Sequence, residues 1–120
     1  MITELNSIED FTLLLLFHMA SVDGSLHPNE RDTILERMKE LFPGDESING
    51  KLLALESQYA KLGDAKAEAL LKDSAKKFSE INQAMKTAIY SALFDIINAN
   101  GKVNYEETQA LKIYKELLGA

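Results

Sequence analysis

The 120-residue chain contains no cysteine and no tryptophan. Without cysteine there is no disulfide framework, no thiolate metal site and no cysteine nucleophile. A long apolar run is missing too. The longest, residues 13–17, falls far short of the ~20 needed to span a bilayer. No basic segment precedes it; Glu4, Glu9 and Asp10 do, so no export signal is read. An excess of positive charge is also lacking: the net charge is −6 and the pI about 4.9, which argues against a nucleic-acid binder. The expectation is a soluble, cytoplasmic protein, not transmembrane.

What is present is ordinary globular material, 46% hydrophobic and 27% charged. The length suits a single domain over residues 1–120, and a chain of this size buries roughly two-thirds of its unfolded surface without staples. Charge is uneven. Residues 1–60 hold 4 basic and 11 acidic side chains, a net of −7, and residues 61–120 hold 9 and 8, a net of +1. An acidic half can attract cations or a basic partner, or it can simply be solvated helix faces.

Every periodic segment is helical, and none alternates like a half-buried strand. Ser7 is a candidate cap for a first helix over residues 8–22. Its five consecutive apolar residues step 100° each and cover the full circumference, so this helix should be buried on all sides. Pro28 suits the first position of a second helix, over 28–42, because the N–H it lacks has no intrahelical partner there. Ile34, Leu35, Met38, Leu41 and Phe42 form one stripe, which Pro43-Gly44 ends. Residues 45–50 read as a polar connector. A third helix follows to about 62, with Leu52, Leu55, Tyr59 and Leu62 inward. Gly63-Asp64 breaks it from a fourth, about 65–78, with Ala67, Leu70, Leu71 and Phe78 inward. A fifth, about 80–99, repeats Ile81, Ala84, Met85, Ala88, Ile89, Ala92, Leu93, Ile96 and Ile97 at i, i+3, i+4. Asn100-Gly101 closes it. The last, about 105–118, buries Leu111, Tyr114, Leu117 and Leu118. Six helices with short connections make an all-α bundle.

The chain repeats itself. Residues 17–30 overlie 94–107 at a constant offset of 77. Phe17, Gly24 and Glu30 meet Phe94, Gly101 and Glu107, while Asp23 meets Asn100 and Leu26 meets Val103. The repeat spans about 8–42 and 81–118. Each unit is a buried helix, an Asp/Asn-Gly turn, one apolar anchor and a Glu in the next helix's first turn. Structure alone accounts for much of this. The glycines supply positive φ. Each Glu at the third helical position can bond back to the cap residue, His27 or Asn104, and favours the dipole's positive end.

The same pattern, Asp-Gly-x-(Leu/Val)-x-x-x-Glu between a hydrophobic and a charged helix, resembles the TerB-like (tellurite-resistance protein B) family. The resemblance implies a compact multi-helix bundle of two pseudo-symmetric halves. It implies a non-enzymatic role in stress response or protein interaction, with a divalent cation, Ca²⁺ or Mg²⁺, held by acidic residues. The residues carried over are Asp23, Glu30 and Glu107. The family's second Asp is Asn100 here, which removes one charge from the donor set.

Other chemistries find less support. Hard cations want oxygen ligands, about six to eight for Ca²⁺. An EF-hand is excluded, since counting from Asp23 puts Ile34 where a bidentate Glu belongs. His18 and His27 are nine apart, not the four of a helical zinc motif. No Ser-His-Asp order, glycine-rich phosphate loop or Walker pattern occurs. Lys72, Lys76 and Lys77 form a basic cluster interrupted by Asp73, best read as a solvated face. Three functional readings follow: a TerB-like interaction module with a cation site and an unknown protein partner; a helical scaffold or homodimer without metal; and a small-ligand carrier or enzyme with a pocket near His18 and Asp95. These two residues occupy equivalent repeat positions. If the central helices meet, they are expected to pair in the interior.

Overall fold

The computed structural model describes residues 8–21, 28–44, 46–77, 83–98 and 105–118. The described residues form six helices: α1 (Ile8–Ser21), α2 (Pro28–Leu41), α3 (Ile48–Leu62), α4 (Asp64–Lys77), α5 (Gln83–Asn98) and α6 (Tyr105–Leu118). No strand occurs among the described residues. The all-α expectation therefore holds, with six helices in the expected order. The helices gather into a body with extents of 31 × 28 × 27 Å. α2 and α6 begin and end 77 residues apart, the offset of the sequence repeat.

α1 is the axis of the fold. Every residue from Phe11 to Ser21 is buried, and α2, α4, α5 and α6 all pack against it. This is what a helix apolar around its whole circumference must do, because any face left in water would forfeit its burial. Leu15, Leu16, Met19 and Ala20 are fully inaccessible. The neighbouring helices contribute one stripe each: Ile34 and Met38 from α2, Leu52 and Leu55 from α3, Ala67 and Leu71 from α4, and Ile89, Leu93 and Ile96 from α5. Among the expected inward residues, Ala84 is instead exposed. Phe78 and Ile81 lie outside the described residues, as do the side chains of Tyr114, Leu117 and Leu118.

One boundary is corrected. Residues 48–50 are not part of a connector but form the first turn of α3. The N–H of Lys51 donates to the Ser47 carbonyl at 2.9 Å, closing that turn around Gly50. Ile48 is 1% exposed, and its burial outweighs the ~1 kcal/mol that a helical glycine costs.

α3 ends at Gly63, whose N–H donates to the Tyr59 carbonyl at 2.9 Å. Gly63 holds φ +83° and ψ 157°, a region open essentially to glycine alone. No atom would crowd a Cβ there, so the cost of a side chain is purely conformational. Gly63→Ala is expected to lose about 1–3 kcal/mol, read from urea unfolding. A loss below a few tenths would show that the α3–α4 joint relaxes freely.

Candidate functional site

Of the three expected cation ligands, Asp23, Glu30 and Glu107, only Glu30 has a described side chain. Glu30 sits in the first turn of α2 and is 0% exposed, the one acidic side chain buried among the described residues. Its place follows from the helix itself. Residues 30, 34 and 38 stand one turn apart, so Glu30 continues the stripe of Ile34 and Met38 toward the helix N-terminus. That end carries partial positive charge, which favours a carboxylate. Burial of an ionised carboxylate still costs several kcal/mol unless it is paired or hydrogen-bonded. Glu30 takes part in a polar or electrostatic interaction. Asp23, the Asp-Gly turn and His27 lie outside the described residues. Glu107 lies in α6, but its side chain is outside the described set. Among the described residues no three of His, Cys, Asp or Glu gather as metal ligands.

His18, expected from the sequence to pair with Asp95, is 4% exposed and bonds a residue of α3. Its Nδ1 shares a 2.7 Å hydrogen bond with the Tyr59 hydroxyl, 41 residues away on α3. The Tyr59 ring also lies 4.8 Å from that of Phe17, tilted by 55°, a favourable aromatic arrangement. Asp95 is not interior: its side chain is 45% exposed, and its Oδ2 accepts from Arg37 of α2 at 3.3 Å. The reason is angular. On α5, Asp95 follows Phe94 by 100° and turns toward the α2 flank, whereas His18 faces α3.

Arg37 is the hub of the α2–α5 groove. Besides Asp95 it meets Glu40 at 3.2 Å and Glu36 at 3.5 Å. The groove has a volume of about 220 Å³ and is floored by Leu41, Ala88 and Ala92, with Ser91 at its edge. Three carboxylates surround one guanidinium, so the site carries surplus negative charge. The pairs are partly exposed, and each is worth at most about 1 kcal/mol. A single cation already met by three acids is poorly suited to bind an anion. Two further ion pairs fasten α3: Arg31 to Glu56 at 2.7 Å and Lys51 to Glu9 at 3.5 Å.

Sequence reasoning missed Arg37 and the role of Tyr59. Tyr59 stood on the inward stripe of α3, so its burial was legible; its hydroxyl partner was not, because that depends on which residue of α1 lies opposite. No helix among the described residues is long and apolar enough to cross a membrane.

No curated protein and no solved structure matches the chain. One family model does, that of tellurite resistance protein TerB, over residues 9–120. It takes in α1 almost from its start and runs through α6. An all-α bundle around a buried α1, matched by that family model along nearly its whole length, belongs to the TerB family.

Proposed function

We propose that the chain is a non-enzymatic interaction module of the TerB family whose α1–α2 junction takes a divalent cation. The observation that carries this reading is the burial of Glu30 at the start of α2, beside the sequence position of the Asp-Gly turn. Asp23 and Glu30, with Glu107 from the second unit, would hold the ion. Carboxylate oxygens are hard donors and suit Ca²⁺ or Mg²⁺. Bound there, the cation supplies countercharge to a carboxylate held out of water. Asn104 and Asn100 can add only neutral oxygens, so the second unit contributes less charge than the first.

Thermal unfolding in Ca²⁺, Mg²⁺, Mn²⁺ or Zn²⁺ tests the reading. A cation at 100 times its Kd adds ~2.7 kcal/mol, a rise of roughly 10 °C for a domain of this size. The rise is expected in wild type and absent in Asp23→Ala/Glu30→Ala. No shift up to millimolar cation would overturn the cation site. Glu30 would then be a buried helix-start residue, and the metal-free scaffold would be the better account.

A further inference from the structure

Three described positions 77 residues apart are buried in α1 and exposed in α5: Leu14 against Ser91, Phe17 against Phe94 and Ser21 against Asn98. Phe17 is 4% exposed, while Phe94, its equivalent 77 residues on, is 50% exposed. Phe17 is covered by Tyr59 of α3. The α3–α4 pair lies between the repeats in sequence and packs on α1 and α2. α5 contacts α1, α2 and α6, and its remaining face is open. The exposed residues of α5 are Gln83, Ala84, Thr87, Ser91, Phe94 and Asn98. None of these is charged, but Asp95 beside them has a 45% exposed side chain and lines the same shallow pocket as Phe94. Tyr90 borders this strip and joins Phe94 in lining a shallow pocket. A half-exposed aromatic amid uncharged side chains, with the charges gathered at the flanks, suits a contact surface with a polar rim.

The flanks of the strip are oppositely charged. On the α2 side, Glu36, Glu40 and Asp95 outnumber Arg37. On the α6 side, Lys115 stands over the Tyr90 ring at 5.4 Å. Lys112 is one turn before it, and Lys86 is one turn before Tyr90. None of these three lysines has a carboxylate partner among the described residues. A twofold axis lying in the strip and parallel to α5 carries the acidic flank of one copy onto the basic flank of the other, and does so twice. We propose that the α5 face is an isologous interface that takes a second copy of this chain, with Phe94 at its centre. The inference is independent of the cation reading.

Sedimentation of the full chain over a range of concentrations tests it. Wild type is expected to dimerise, and more weakly in high salt as the flanks are screened. Phe94→Glu should weaken the dimer at least tenfold, as loss of a central aromatic anchor does. Charge reversal supplies the sharper arm. Lys112→Glu/Lys115→Glu and Glu36→Lys/Glu40→Lys should each be monomeric alone and dimerise when mixed, because both flanks are then complementary again. These side chains are exposed, and helicity by circular dichroism confirms that each variant folds. A wild type monomeric at ~1 mM overturns the proposal. So does a Phe94→Glu protein as dimeric as wild type, or a mixture of the reversed variants that stays monomeric.

Discussion

Leu16→Ala is expected to cost about 2–5 kcal/mol and to lower the melting temperature by roughly 10–20 °C. Leu16 is fully buried on the one helix that four others enclose. Truncation there removes the transfer energy of the lost methyl groups and leaves a cavity on every side of which a helix is already held by its own contacts. Such sites collapse poorly, and they sit at the expensive end of the range. Typical domains of this kind are stable by only ~5–15 kcal/mol, so a single substitution removes a large share. Leu53→Ala is the control. Leu53 is 59% exposed on α3, and its loss should stay within about 0.5 kcal/mol. Urea unfolding of the two variants separates the cases. Equal effects would mean that α1 is not the axis of the fold.

Tyr59→Phe is expected to destabilise by about 1–3 kcal/mol without changing any packing volume. The hydroxyl it deletes is buried and lies 2.7 Å from His18 Nδ1. Its removal leaves the imidazole without that bond in a region where water cannot replace it. The cost is that of an unsatisfied polar group, not of a cavity. A double-mutant cycle identifies it. His18→Leu alone should also destabilise, but Tyr59→Phe with His18→Leu should cost less than the sum, because neither polar atom is then stranded. A coupling of ~1 kcal/mol or more is expected from chemical unfolding of the four proteins. Strict additivity would show that the pair contributes nothing to holding α3 on α1.

The two predictions differ in how far the sequence foretold them. Burial of Leu16 was legible from residues 13–17 alone, because five apolar residues in a row leave a helix no face for water. The bond between His18 and Tyr59 was not. The sequence offered His18 a partner at its repeat equivalent, Asp95, and the fold supplied one from the intervening α3 instead. The same insertion explains why Phe17 is covered and Phe94 is not. Two residues alike in local pattern diverge because α3 packs beside only one of them.

The proposed cation site divides in the same way. The turn-to-helix unit and the position of Glu30 within the first turn of α2 could be read from spacing. That Glu30 is wholly buried could not, since burial depends on how the start of α2 seats against the core. The role of Arg37 was not legible either. Its meeting with Asp95 joins positions 58 apart in the chain.

By itself, then, the sequence determined the all-helical class, the helix order, the buried axis and the family. These follow from local causes: a 100° step per residue, proline and glycine at the breaks, and a motif of eight residues. The α3 start at Ile48 is the instructive exception, because there a long-range contact overrode the local cost of Gly50. Tertiary structure alone decided which arc of each helix is covered and by what. It paired His18 with Tyr59, gave Asp95 to Arg37, and left the Phe94 face of α5 open. Helix periodicity fixes the angles between side chains on one helix, but not the rotation or order in which helices pack. That choice is made by burial summed over the whole core.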